Sequence, residues 1–164
     1  MRYFNVAGAD PSMRSGLISK DPTHLIKIAS EAAVGEREKV IIFGNDYPTP
    51  DGTAIRDYIH VSDLADIHVK AAEHLVTNKK STILNCGYGK GFSVKNVLDI
   101  ANTVNNKPLP IEMGNRRAGD AAILVSDVSK LRQLLEWEPK HNDLFFIIKT
   151  SFEWERKLME NENA

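Results

Sequence analysis

Residues 40–61, VIIFGNDYPTPDGTAIRDYIHV, contain the pattern that decides the fold class. Val40–Phe43 is a short apolar run typical of a buried strand, and residues 55–61 form a second run rich in β-branched and aromatic side chains. The Pro, Asp and Gly residues between the two runs predict turns rather than helix. Ser62 or Asp63 is expected to cap the helix that follows, because apolar side chains then recur at helical spacing.

The same alternation of strands and helices continues on both sides of this stretch. Further strands are predicted at residues 2–8, 81–85, 109–113 and 123–125. Further helices are predicted to be capped near Thr23, at Ser93 and at Asp127, and to begin at Asn142. This alternation predicts an α/β fold.

Composition excludes several classes of protein. The chain has 164 residues, of which 42% are hydrophobic, and a formal net charge of -1. This length predicts one domain, and the near-zero charge argues against a nucleic-acid partner. No apolar run approaches the ~18 residues that a membrane span needs, and no signal-peptide pattern opens the chain. A single cysteine, Cys86, excludes an internal disulfide and predicts a cytoplasmic location.

A glycine-rich segment, GYGKG at residues 87–91, follows one predicted strand and precedes a helix. That position suits a phosphate-binding loop at a helix N-terminus. The spacing is G-x-G-x-G, however, whereas the dinucleotide-binding fingerprint requires G-x-G-x-x-G. We therefore favour a tight turn that leads into a helix cap over a cofactor site.

Arginines in two separate loops are the main candidates for ligand binding. Arg56 follows the turn that contains Asp51 and Gly52, and Arg116 and Arg117 precede a Gly-Asp pair. Because a guanidinium binds phosphate oxygens in a bidentate manner, two such loops together could hold a diphosphate. Each arginine taken alone is more typical of a surface ion pair.

Other polar side chains carry weaker functional signals. His60 lies in a predicted strand without a second ligand at metal-site spacing, so we expect a structural role and predict no metal site. His24 opens a helix, where a histidine is either an anion contact or a surface residue. Cys86 is expected to be a buried thiol. A Ser-His-Asp nucleophile has no support, since the chain has no G-x-S-x-G motif, and no catalytic residue is predicted.

Five segments together resemble the UDP-glucose 4-epimerase (UDP-galactose 4-epimerase) family of extended short-chain dehydrogenases. They are residues 2–9, 43–53, 56–65, 85–94 and 116–120. The resemblance covers essentially the whole chain, but only the C-terminal half of the family's chain. It implies that residues 1–164 are the UDP-sugar-binding half of a Rossmann-type fold, whose strands complete an NAD-binding sheet. The N-terminal NAD-binding domain of the family is expected to be absent from this chain.

The resemblance also assigns roles to individual residues. The substrate-binding residues it implies are Asn5, His24, Leu25, Ile41, Phe43, Arg56, Arg117 and Asp120, and the residue on the nicotinamide side is Tyr3. Asn5, Arg56 and Arg117 are assigned to the substrate diphosphate, and Asp120 to the ribose. The strand that ends at Phe43 is assigned to the uracil.

The activity implied by the resemblance is the NAD-dependent interconversion of UDP-galactose and UDP-glucose in galactose metabolism. Family members bind NAD through an N-terminal glycine fingerprint and transfer a proton with a Tyr-x-x-x-Lys pair. None of the four tyrosines in this chain is followed four residues later by lysine, and the fingerprint is also missing. We therefore expect the chain to bind a UDP sugar and to be inactive alone. A homodimer is implied only for the full-length family.

Three alternatives remain open at this point. The chain is one piece of a split enzyme whose partner is an N-terminal polypeptide, or it is a non-catalytic UDP-sugar-binding module. Among enzymes, the nearest alternative is a related sugar-nucleotide epimerase or dehydratase of the same superfamily.

Overall fold

The computed structural model describes residues 1–162, which contain eight strands and five helices. In chain order the elements are β1 Arg2–Tyr3, β2 Asn5–Ala7, α1 Leu25–Val34, β3 Val40–Phe43, β4 Ile55–His60, α2 Val61–Asn78, β5 Asn85–Cys86, β6 Gly91–Ser93, α3 Val94–Asn105, β7 Ile111–Gly114, β8 Ile123–Leu124, α4 Ser129–Leu135 and α5 Leu144–Glu162. Pairs of strands alternate with single helices until the last two helices, and the α/β prediction is confirmed.

Strand β4 organises the largest sheet. Its second half pairs in parallel with β2, so that Asn5 lies beside Tyr58. Its first half lies between antiparallel β6 and parallel β8, which places Arg56 between Phe92 and Leu124. Two further parallel pairs, β1 with β5 and β3 with β7, form separate two-stranded sheets. Because β4 is paired on both sides at Arg56, the backbone at this candidate ligand residue is held by two neighbouring strands.

The N-terminal segment differs from the single strand predicted at residues 2–8. The strand is interrupted at Phe4, because β1 pairs with β5 whereas β2 pairs with β4 in another sheet. Within residues 1–162, β1 and β2 each have one paired neighbour, which leaves one edge of each strand open. The side chains of Met1, which precedes β1, and Tyr3, which belongs to it, are exposed.

Two helix starts show how far local sequence predicts a cap. Ser93 caps α3 as predicted, since its hydroxyl accepts the backbone N–H of Asn96 at 3.0 Å. The predicted cap of α2 at Ser62 or Asp63 is wrong. His60 caps this helix instead, because its Nδ1 accepts the N–H of Ser62 at 3.1 Å. Asp63 lies buried inside the first turn and accepts a hydrogen bond from the Tyr88 hydroxyl at 2.7 Å.

The ends of other elements also shift from their predicted positions. The strand predicted at 81–85 is observed only at Asn85–Cys86, because its neighbour β1 is two residues long. Val128 occupies the cap position of α4, one residue after the predicted Asp127. The Asp127 carboxylate still supplies a capping hydrogen bond, since it accepts the N–H of Ser129, the first residue of that helix, at 2.9 Å. Strand β6 was not predicted, because it lies across the end of the glycine-rich segment.

The helices pack over an apolar core. Helix α5 lies against α1 and α3, and Ile147, Ile148 and Phe152 on its inner face are fully buried. On the other side, α2 packs against α4 and β4. None of the helices within residues 1–162 combines the length and the apolar character needed to cross a membrane.

A buried ion pair joins α1 to α5. The Lys27 ammonium lies 2.6 Å from one carboxylate oxygen of Glu155, and both side chains are almost fully buried. Glu31 extends the network, since it lies 3.5 Å from Lys27 and 2.8 Å from Arg37. Burial raises the pKa of Glu155, although the hydrogen bonds from Lys27 oppose this shift. The charged form of Glu155 therefore depends on Lys27.

We predict that Lys27→Met lowers the free energy of unfolding by about 3–5 kcal/mol, because it leaves a buried carboxylate without its cation. The double variant Lys27→Met/Glu155→Leu should recover most of this loss. Lys149→Met is the matched control, since Lys149 pairs with Glu153 on the exposed surface and its loss should cost less than about 1 kcal/mol. Urea unfolding measures all three values, and a double variant no more stable than Lys27→Met would contradict the prediction.

Candidate functional site

Arg56 is the second residue of β4, and its side chain is held by the loop that precedes β8. Its Nη1 donates to the carbonyl oxygens of Ile55 and Ala121, both at 2.8 Å. Its Nη2 lies 3.5 Å from the Asp120 carboxylate. The side chain of Arg56 is 15% exposed, so the guanidinium has a fixed position and still reaches solvent. Two of the predicted substrate-binding residues, Arg56 and Asp120, are therefore neighbours.

Arg117 lies in the same loop and stacks on an aromatic ring. Its guanidinium carbon is 3.8 Å from the centre of the Phe43 ring, a cation–π contact with the last residue of β3. No hydrogen bond joins this guanidinium to a group in residues 1–162, so its N–H donors remain available. Because Asp120 donates its N–H to the Arg117 carbonyl oxygen at 3.3 Å, Arg117 and Asp120 belong to one turn.

Arg116 is oriented differently from its neighbour. Its Nε donates to Asp46 at 2.6 Å, and its guanidinium lies 4.1 Å from the centre of the Tyr47 ring. These contacts occupy Arg116 with the loop that follows β3. The two consecutive arginines thus differ in availability, and only Arg117 presents a guanidinium without a carboxylate partner.

Strand β3 presents Ile41 and Phe43 on one face, as alternate residues of a strand do. Strand β7 lies beside it, and Gly114 pairs with Phe43. A Cβ at Gly114 would lie 2.8 Å from the Ile41 side chain, so glycine keeps the surface between the strands flat. The other edge of β3 has no paired strand among the described residues, and its backbone N–H and C=O groups are open there.

A cavity of about 370 Å³ is lined by the remaining substrate-binding residues predicted from the resemblance. Asn5, His24 and Leu25 line it, together with Tyr58 from β4. Asn5 is fixed by its side-chain amide, which donates to the Asp57 carbonyl oxygen at 3.0 Å. This volume is within the range of small-molecule sites.

The loop before α1 covers one side of the cavity and is fastened to α5. The Trp154 indole N–H donates to the Leu17 carbonyl oxygen at 3.3 Å, and Lys157 donates to the Met13 carbonyl oxygen at 2.7 Å. Gly16 lies against the indole ring, since a Cβ there would be 2.5 Å from Trp154. A side chain at Gly16 would therefore displace this loop.

The predicted site residues thus form two groups joined by β4. Arg56, Asp120, Arg117 and Phe43 make one group, to which Ile41 belongs through β3, and Asn5, His24 and Leu25 make the other. Arg56 and Tyr58 are two residues apart on one face of β4, which links the groups. Tyr3 belongs to neither group: it is 55% exposed, and its ring lies 6.2 Å from that of His68.

The glycine-rich segment binds a carboxylate of this chain. The backbone N–H groups of Tyr88 and Gly89 donate to the two carboxylate oxygens of Asp57, at 3.1 and 3.0 Å. Ser126 donates both its N–H and its hydroxyl to the same carboxylate. These donors are therefore occupied, and the segment does not fit the phosphates of NAD. The role of Asp57 was missed, although a carboxylate inside a run of strand residues is a usable signal.

His60 and Cys86 are buried as expected. His60 caps α2 through Nδ1, and its Nε2 lies 3.2 Å from the Thr150 hydroxyl, which defines the tautomer with the proton on Nε2. Burial and the nearby His141 lower the pKa of His60 to about 4. Burial also raises the pKa of the Cys86 thiol.

One group of carboxylates has the spacing of a metal site. Oxygen atoms of Glu31, Glu36 and Glu155 lie within 4.8 Å of one another. Lys27 and Arg37 already pair with Glu155 and Glu31. We interpret this group as part of the ion network between α1 and α5.

Comparison with known proteins identifies a family and a set of relatives. Residues 1–87 match the model of the NAD dependent epimerase/dehydratase family. A UDP-glucose 4-epimerase from Azospirillum brasilense is 49% identical over 96% of this chain and 45% of its own length. One from Halalkalibacterium halodurans is 46% identical over 96% of this chain and 47% of its own length. The chain spans about half the length of the curated relatives it matches.

Solved structures show the same relationship. A UDP-glucose-4-epimerase from Stenotrophomonas maltophila, solved with bound NAD and formylated UDP-arabinopyranose, superposes with a TM-score of 0.93 at 36% identity. The superposition covers 98% of this chain and 48% of that one. The UDP-Glc/GlcNAc 4-epimerase from Campylobacter jejuni is 47% identical, with a TM-score of 0.79 over 95% of this chain and 47% of its own.

We predict a histidine-dependent loss of stability in mild acid. The pKa of His60 falls from 6.5 to about 4 on folding, so the unfolded chain binds the extra proton first as pH decreases. The contribution of neutral, buried His60 to the free energy of unfolding is complete above pH 6.5 and is lost as the pH falls towards 4. His60→Asn, which keeps an acceptor for the Ser62 N–H, should give a shallower slope between pH 6.5 and 5 in urea unfolding. An equal slope in both proteins would contradict this assignment.

Proposed function

This chain belongs to the NAD dependent epimerase/dehydratase family, and we propose that it supplies the UDP-sugar-binding portion of a UDP-glucose 4-epimerase. The observation that carries the proposal is the pair of guanidinium groups at the loop before β8. Arg56 is held at the end of this loop by Ala121 and Asp120, and Arg117 stacks on Phe43 with its donors unpaired. Two guanidinium groups, one from β4 and one from the loop before β8, suit the two phosphates of a nucleoside diphosphate.

The surroundings of the arginines support a place for each part of the ligand. The open edge of β3 at Ile41 and Phe43 offers backbone N–H and C=O groups to the edge of a uracil. Asp120, which is partly exposed beside Arg56, offers a carboxylate to the ribose hydroxyls. Asn5 and the helix start at His24 and Leu25 line the adjoining cavity. We assign Asn5 to the diphosphate, and His24 and Leu25 to the nucleotide part of the substrate.

The role proposed for this chain is binding and orientation. The described residues form no cradle for NAD, since the glycine-rich segment is occupied by Asp57, and the sequence contains no Tyr-x-x-x-Lys pair. NAD in this family accepts and returns a hydride. We therefore derive no chemical step from these residues, and propose that they hold the diphosphate and uridine while the sugar reacts.

A second polypeptide segment is proposed as the source of the cofactor site. The open edges of β1 and β2 can accept a further strand, and Tyr3 in β1 has an exposed aromatic side chain. These features support a partner segment that carries the glycine fingerprint and the Tyr-x-x-x-Lys pair. The domain proposal follows, with residues 1–164 as the UDP-sugar-binding portion. A cytoplasmic location is proposed because the single cysteine is a buried free thiol.

The substrate range of the proposed enzyme has a second candidate. The similar Campylobacter jejuni structure is described as a UDP-Glc/GlcNAc 4-epimerase. Titrations with UDP-glucose and with UDP-N-acetylglucosamine distinguish a hexose-specific site from a broader one. Equal affinity for the two UDP sugars, with weaker binding of UDP, favours the broader enzyme. Equal affinity for UDP and for both UDP sugars favours a nucleotide-binding module.

We predict that Arg56→Ala weakens the binding of UDP to this chain by about 1.5–3 kcal/mol, since it removes charge-assisted hydrogen bonds to phosphate. Arg116→Ala is the matched control, because Asp46 and Tyr47 already occupy that guanidinium. The control should change the affinity by less than about twofold. Calorimetric titration with UDP measures both, and thermal unfolding verifies that each variant is folded. Equal affinity in Arg56→Ala and the unaltered chain would contradict the diphosphate assignment.

We also predict that the chain alone does not convert UDP-glucose to UDP-galactose in the presence of NAD. Co-expression with the N-terminal half of the Azospirillum brasilense relative should restore conversion, because that half would supply the missing residues. The matched control is the same N-terminal half with the tyrosine of its Tyr-x-x-x-Lys pair changed to Phe, which should restore no activity. Conversion by the chain alone would contradict the proposed division of roles.

A further inference from the structure

The carboxylate of Asp57 lies immediately beside Arg56 in sequence and on the opposite face of β4. Asp57 is 1% exposed and accepts hydrogen bonds from Tyr88, Gly89 and Ser126. An ionised group at such a depth is stable only when it is surrounded by donors. The position of Ser126 is therefore tied to β4 by a charge-assisted interaction.

Ser126 ends the segment that holds Arg56. This segment runs from Ala121 to Ser126 and lies alongside β4. The Ile55 N–H donates to the Ala122 carbonyl oxygen at 2.8 Å. At its start, the Ala121 carbonyl oxygen accepts a hydrogen bond from Arg56. At its end, Ser126 donates two hydrogen bonds to Asp57. The contact with Asp57 thus fixes one end of the segment whose other end orients the guanidinium.

Apolar burial contributes little to holding this segment. Ile123, Leu124 and Val125 are 56%, 46% and 36% exposed, although they are the largest side chains in it. Their exposure leaves hydrogen bonds as the main interactions that keep the segment against β4. Gly87 permits the closest of these, since a Cβ at that position would lie 2.5 Å from a carboxylate oxygen of Asp57 and nearer still to the Ser126 hydroxyl.

We propose that Asp57 is a positioning residue for the diphosphate-binding arginine, acting through Ser126 and residues 121–126 on Arg56. It makes no contact with the ligand. Its carboxylate holds the segment in register on β4, and the segment then presents the Ala121 carbonyl oxygen and Asp120 to the guanidinium. The ligand part of this inference rests on the proposed function, whereas the effect on Arg56 does not.

The test is Ser126→Ala, which removes the hydroxyl donor and keeps the backbone N–H. Ser129→Ala is the matched control, because its hydroxyl also donates to a carboxylate, that of Asp127 at 2.6 Å, but at the exposed start of α4. Gly87→Ala is the second variant, since its methyl group separates Ser126 from Asp57 without altering either residue. Cooperative thermal unfolding verifies the fold of each protein.

Two measurements on the full chain separate positioning from ligand binding. The heteronuclear NOE of the Arg56 Nε–H signal, assigned by its loss in Arg56→Lys, reports the order of the guanidinium without any ligand. Ser126→Ala should lower this NOE, and Ser129→Ala should not. Titration with UDP should give affinity about threefold to tenfold weaker in Ser126→Ala, and within about twofold of the unaltered chain in Ser129→Ala.

The outcomes are distinct for the two proposals. A lowered Arg56 NOE in Ser126→Ala supports positioning, and a parallel loss of UDP affinity supports its role in the proposed function. A lowered NOE in a chain that binds no UDP retains positioning and overturns the proposed function. An unchanged NOE in a folded Ser126→Ala or Gly87→Ala variant overturns the positioning role, whatever the UDP affinity.

Discussion

A buried carboxylate must be surrounded by hydrogen-bond donors, and Asp57 obtains its donors from segments far apart in the sequence. The glycine-rich segment supplies two backbone N–H groups, and Ser126 supplies an N–H and a hydroxyl. This requirement draws the residues around 88 and 126 to the middle of β4. Arg56, the residue before Asp57, is thereby brought into contact with Ala121 and Asp120 of the loop that also contains Arg117.

The same constraint explains why a loop that resembles a phosphate cradle takes another role. Backbone N–H groups before a helix attract anions, and here the anion is a side chain of the chain itself. Glycine at 87 allows the carboxylate and the serine to approach, and the positive φ of 71° at Gly89 suits a residue without a side chain. In the proposed complex the phosphates of the ligand are bound by side chains instead, namely the guanidinium groups of Arg56 on β4 and Arg117 on the loop before β8.

Local patterns in the sequence predicted β3, β4 and the cap at Ser93, because these depend on residues close together in the chain. The split of the N-terminal strand and the existence of β6 depend on which distant strands pair, and local patterns do not contain that information. The two arginine loops were recognised from residue type alone, whereas the stacking of Arg117 on Phe43 required the structure. His60 as the cap of α2 was missed because a strand histidine rarely signals a helix start.

In the proposed complex, Arg56 on β4, the loop at residues 116–121 and strand β3 together hold a pyrophosphate-linked uridine. A crystal structure of this chain grown with UDP tests this arrangement most directly. We expect density for the pyrophosphate between the Arg56 and Arg117 guanidinium groups, with the uracil against the open edge of β3 at Phe43. Density for the nucleotide at a site away from both arginines would contradict the account.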